Sequence, residues 1–153
     1  MATASSPATP AHEDLLSLLD GKQTGNDADA AMILGSLSPQ EVMNMVTHDQ
    51  RRAPPLALAA KQGWTMTIQS LLEARVSVNQ GDGLWGRSAF WEAASFGHVA
   101  VLRCLLDAAA DPHQSPSRGR PRGVTPLEMA NKQNQLETGQ WLYDYYMDPQ
   151  MAT

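Results

Sequence analysis

The chain has 153 residues, 42% of them apolar, and a formal charge of −5. That apolar share is enough to build a packed core, so disorder throughout is excluded, and the length fits one domain. The acidic balance excludes a general polyanion binder, since affinity for phosphates rests on clustered Lys and Arg. A single cysteine, Cys104, excludes an internal disulfide and a multi-cysteine metal site. No apolar run approaches the roughly 18 residues that a membrane-spanning helix needs.

In chain order, residues 1–9 are small and polar and read as a disordered tail. Pro10 suits the first turn of a helix, with Thr9 as its cap, and Leu15, Leu16, Leu18 and Leu19 give that helix an apolar stripe ended by Asp20-Gly21. A short helix is expected from Asp27 to Leu34, closed by Gly35. Ser38-Pro39-Gln40-Glu41 has the spacing of a capping box, and the helix it opens should run through Val42, Met43, Met45 and Val46 to near His48. Residues 27–47 then form two short antiparallel helices, and residues 10–48 an α-helical amino-terminal cap.

From Pro54 onward one pattern is written twice. Ala59-Ala60, Gly63, Leu71-Leu72 and Asn79 recur 34 residues later as Ala93-Ala94, Gly97, Leu105-Leu106 and His113. Self-similarity at such a period marks a stacked-repeat architecture. Each copy should hold a short helix rich in small residues (Pro55–Gln62; Ala89–Phe96) and a longer one (Thr65–Ala74; Val99–Ala108). Ile68, Leu71, Leu72, Val101, Leu102, Leu105 and Leu106 fall at three- and four-residue spacing on the longer helices and give each a buried face. A third copy opens at Gly123-Val124-Thr125-Pro126-Leu127, and its long helix spans Leu136–Tyr146, with Trp141-Leu142 aligned to the Leu-Leu pairs. The repeats fall at about 50–82, 83–117 and 121–147, within a domain at 49–148.

Thr125-Pro126-Leu127, the double alanines, Gly97-His98, the Leu-Leu pairs and Val78-Asn79 resemble the ankyrin repeat, whose pattern runs TPLHLAA, GH, LL and GADVN. The resemblance implies an all-α solenoid of about three helix-turn-helix repeats with loops projecting to one side. The pattern departs at Pro54-Pro55-Leu56-Ala57, Ser88-Ala89-Phe90-Trp91, Gly63-Trp64 and Asn134-Gln135, which weakens the inter-repeat hydrogen bonds without altering the fold.

The same resemblance implies a non-catalytic module that binds a partner protein through loop tips and short helices, as adaptor, scaffold or inhibitor. The positions it assigns to a partner are Lys61 and Gln62 in copy one, with Arg51 and Ala53 at the tip. In copy two they are Leu84, Trp85, Arg87, Ser95 and Phe96, led into by Gln80. In copy three they are Arg122, Val124, Lys132 and Gln133. Leu84, Trp85 and Phe96 beside Arg87 stand out, because exposed apolar clusters mark contact sites and Trp and Arg dominate interface energy. The competing reading is that Trp85 folds back as intramolecular packing. Trp64, Trp91 and Trp141 read as core or inter-repeat filler, and Tyr143–Tyr146 as a cap on the last helix.

Other chemistries have thinner support. His98 and Cys104 suggest a thiol–imidazole pair, but His98 holds the ankyrin-like Gly-His position and Cys104 lies on a packed face. His12, His48 and His113 lack metal-ligand spacing, so no catalytic residue, metal or cofactor is expected. Arg118-Gly119-Arg120-Pro121-Arg122 resembles the AT-hook, an extended element whose arginines enter a narrow minor groove. That leaves a DNA- or chromatin-associated protein using Arg118, Arg120 and Arg122 as the alternative, beside a solvated basic loop, or a loop tuned by phosphorylation at Ser115 or Ser117. A regulatory subunit of an enzyme complex is a further alternative. The amino terminus lacks the basic start and apolar stretch of a secretory signal, so the expected location is cytoplasmic, with nuclear as the other option, and the expected state a monomer.

Overall fold

The computed structural model describes residues 10–47, 50–119, 122–148 and 150. The tail at 1–9, the Thr9 cap, His48 and Arg120-Pro121 lie outside the described residues. The described part is helical: α1 Pro10–Leu19, α2 Asp27–Gly35, α3 Pro39–Met43, α4 Pro55–Gln62, α5 Thr65–Glu73, α6 Ala89–Ser95, α7 Val99–Asp107, α8 Pro126–Lys132 and α9 Leu136–Met147.

Each repeat is a short inner helix turned back on a longer outer one, giving the pairs α4/α5, α6/α7 and α8/α9. The turn residue needs a left-handed backbone, which Gly63 (φ 76°) and Gly97 (φ 79°) adopt freely. Asn134 (φ 60°) does the same in the third copy, as the non-glycine residue that best tolerates this region. Inner helices stack along α4, α6 and α8, where Ala59, Ala60, Ala93, Ala94 and Ala130 are fully buried. With no side chain beyond Cβ, these positions let backbones approach closely, while Ile68, Leu71, Val101, Leu102, Leu105 and Leu142 fill the space beneath the outer helices.

Side chains reach main chain across each seam. His98 Nε2 lies 2.9 Å from the Lys61 carbonyl, its ring filling the space where a Cβ on Gly63 would fall. Gln135 holds the equivalent place over Gly97, with no hydrogen bond back to copy two among the described residues. Asn79 receives the Asp111 N–H at 2.8 Å, and its carbonyl receives Gln114 Nε2 at 2.8 Å. Tyr146 donates its hydroxyl to the Pro112 carbonyl (2.6 Å) and stacks on His113; burial, with Asp111 nearby, pushes its pKa up to about 12.

Three expectations are corrected or refined. The helix opened at Ser38 stops at Met43 rather than near His48. Its capping box forms, but Thr47 then donates its N–H to the Ala53 carbonyl and accepts the Ala53 N–H on Oγ1, drawing the chain out of the helix. Second, within the residues expected as the amino-terminal cap, the helices that pack on the repeats are α1 and α2. Here α1 packs on α4 and α2 on α5, in the inner and outer places of a further tier. Asp27 seats that tier: its carboxylate accepts from Met66 N (2.8 Å), Thr67 N (2.7 Å) and Thr67 Oγ1 (2.6 Å). It thereby caps α5, whose own N-cap residue, Trp64, offers no side-chain acceptor. Third, Leu142 alone matches the fully buried Leu71 and Leu105. Trp141 falls one position earlier, in register with Cys104, and lies half-buried over Tyr145.

Candidate partner-binding surface

The second loop tip is built on one carboxylate. Asp82 is buried, and its Oδ1 accepts from the backbone of Leu84 (3.0 Å), Trp85 (2.6 Å) and Gly86 (3.2 Å). Backbone bonds between Asp82 and Arg87 and between Gly86 and Asp82 close the loop. Gly81 must be glycine, since a Cβ there would lie 2.6 Å from the Gly86 carbonyl carbon. Asp82 is not among the contact positions expected from the repeat pattern. The available signal was an Asp two residues ahead of a chain reversal, where its side chain mimics a backbone turn.

This loop presents Trp85 and Arg87 beside α6. The Arg87 guanidinium lies 4.1 Å over the Trp85 ring and 5.1 Å from Trp91, so it is held between two indoles. Trp91 is buried and donates Nε1–H to the Val124 carbonyl at 2.9 Å, tying copy two to copy three. Glu92 reaches Arg87 at only 4.0 Å. Its burial pushes its pKa from 4.5 up to about 7, and the nearby Arg87 and Lys61 offset that only in part. Glu92 was absent from the sequence-derived set, because an acidic residue on a short helix carries no sign of its burial. Trp85, Arg87, Glu92, Lys61 and Arg51 line a hollow of about 40 Å³, room for a few waters.

The expected contact positions divide. Phe96 is 45% exposed, with Lys61 Nζ 5.4 Å from its ring. Gln80, Arg122, Lys132 and Gln133 are exposed and Leu84 is half-buried, all outside the lining of the hollow. Val124 is half-buried with its carbonyl taken by Trp91. Ser95 is only 6% exposed, packed between inner helices, which corrects its expected outward place. Gln62 is turned to the first tier, donating to the Leu19 carbonyl at 3.1 Å. Trp85 does fold back in part: the added Cβ on Gly119 would strike its ring, and its carbonyl receives Ser117 N and Arg118 N.

The arginine-rich loop is not extended where it is described. Arg122 N bonds the Gly119 carbonyl (3.1 Å) and Gly123 N that of Pro116 (2.9 Å). Arg118 spends a guanidinium N–H on the Gly83 carbonyl at 3.0 Å. Among the described residues, no group of three or more His, Cys, Asp or Glu side chains is placed to hold a metal ion.

The family profile for ankyrin repeats, in three copies, matches residues 56–153. The chain belongs to the ankyrin-repeat family. Ankyrin repeats are in general protein–protein interaction modules, and the family is typically non-catalytic. The chain is also similar to the 2-5A-dependent ribonuclease of Mus musculus, at 32% identity over 78 residues. That match covers 51% of this chain and 10% of that protein, so the ankyrin-repeat chain corresponds to about a tenth of the relative's length. Among the described residues, no helix is long and apolar enough to cross a membrane.

Proposed function

We propose that this ankyrin-repeat chain is a non-catalytic adaptor, scaffold or inhibitor that grips a partner protein through its second loop tip and the inner helices α4 and α6. The observation that carries the reading is the Trp85–Arg87–Trp91 stack, continued at the surface by Phe96 and Lys61. Indole and guanidinium groups held rigid before binding lose little entropy when a partner covers them, which is why such groups dominate interface energy. A cytoplasmic setting and a monomeric chain complete the reading.

Affinity capture with mass spectrometry, run beside Trp85→Ala and Phe96→Ala chains, tests it. Each substitution is expected to weaken the captured partner by roughly 2 kcal/mol, about thirtyfold, with little change in thermal unfolding. If both variants melt early, the rings are structural and the site assignment fails.

A further inference from the structure

Three loop tips that are distant in sequence meet at Gly83. From the first tip, the Arg51 carbonyl accepts the Gly83 N–H at 2.6 Å, and the Arg52 side chain lies so near that a Cβ on Gly83 would fall 3.1 Å from it. From the third tip, Arg118 donates Nη1 to the Gly83 carbonyl at 3.0 Å, while its backbone N–H reaches the Trp85 carbonyl at 3.2 Å. Two arginines thus converge on one glycine, with Arg122 on the same loop as Arg118 and Lys61 on the adjoining helix.

Arg52, Lys61, Arg118 and Arg122 are all exposed, and none makes a salt bridge among the described residues. Among the described residues, the acids nearby are committed. Asp20 holds Arg51 in a bidentate pair, Asp82 is consumed by its own turn, and Glu92 is buried beside Arg87. A chain of charge −5 therefore carries a basic ridge along its loop tips, set against Trp85, that no acid among the described residues compensates. Like charges gathered without an anion cost free energy in the isolated chain, and a partner that supplies anions recovers it.

We propose that this basic ridge takes an acidic segment of the partner polypeptide, whose carboxylates pair with Arg52, Arg118, Arg122 and Lys61 while an apolar residue packs at Trp85 and Phe96. The proposal rests on the partner-binding reading above and adds the chemistry of the partner. A nucleic acid suits the ridge less well. Strand binding relies on bases stacking on open aromatic faces, and Arg87 lies over one face of Trp85 while Gly119 abuts its edge. The acidic remainder of the chain also repels a long polyanion.

Selection of random displayed peptides on the full-length chain, counter-selected on the Trp85→Ala, Phe96→Ala chain, decides it. Enriched peptides should be rich in Asp and Glu around an apolar residue and should bind more weakly as salt is raised. They should also lose roughly tenfold or more in affinity for an Arg52→Glu, Arg118→Glu chain, and keep it for the control Arg75→Glu, Arg103→Glu on the outer side. Enrichment of neutral or basic peptides that still require Trp85 overturns the acidic partner and leaves the binding site standing. Failure to enrich any Trp85-dependent peptide overturns the site reading itself. An A·T-rich duplex that binds as tightly as the best peptide assigns the ridge to nucleic acid instead. Sedimentation showing self-association that Arg52→Glu abolishes assigns it to a second copy.

Discussion

The seam between the first two repeats and the loop tips above it are built on opposite terms. At the seam, Ala59, Ala60, Ala93 and Ala94 are fully buried against one another, and the polar groups crossing it find partners, as His98 does on the Lys61 carbonyl. A few residues away, Arg87 is held by rings more than by hydrogen bonds, its Nε buried without a partner, and Glu92 is desolvated enough to titrate near pH 7. The seam is what a stacked repeat requires. The tips leave basic charge unpaired among the described residues and Phe96 exposed, neither of which stacking explains, and that contrast is why function is assigned to the tips.

Substitutions at the seams should act on stability. Phe90, 1% exposed on α6, fills the space between inner helices, and Phe90→Ala should cost about 4 kcal/mol and lower the melting temperature by roughly 10 °C or more. A shift of only a degree or two in a circular-dichroism melt would mean the seam collapses around the cavity and is softer than its packing implies. Asp27→Ala comes next, at about 2 kcal/mol, since it strips the cap from α5 and unseats the first tier. Hydrogen exchange should quicken in α1, α2 and the start of α5 while α7 and α9 keep their protection. Uniform loosening would show instead that the first tier is no separate layer.

At the tips the effect depends on pH. The folded chain holds the Glu92 proton to about pH 7, whereas the unfolded chain releases it near 4.5. Stability should therefore fall as pH rises through that window and level off above it. Glu92→Gln keeps the shape and removes the charge. It should match the parent below pH 4.5 and exceed its stability by about 3 kcal/mol above pH 7, by urea unfolding. Parallel pH profiles for the two chains would show that Arg87 neutralises Glu92 fully, and the contrast between seam and tip would narrow.

How much was readable in advance follows from the same division. The helix start at Ser38 is local, its capping side chain meeting an amide three residues on, and the pattern alone announced it. The stacking positions were readable because they recur. The outer tier of α1 and α2 was not, because what seats it is contact between residues far apart in the chain, Asp27 with Thr67 and Asp20 with Arg51, and no repeated pattern records such pairs. Trp85, Arg87, Phe96 and Lys61 were named from their places in the repeat, yet Ser95 was placed outward because repeat position does not report local packing depth.

By itself, then, the amino-acid sequence determined an all-α stack of ankyrin repeats, since short-range periodicity and capping are written in neighbouring residues. Only the tertiary structure decided which arginines converge on Gly83, that Asp82 organises the tip, and that Glu92 is buried enough to hold its proton. Those are properties of the electrostatic surroundings, and they exist only once separate loops have been brought within a few ångströms of one another.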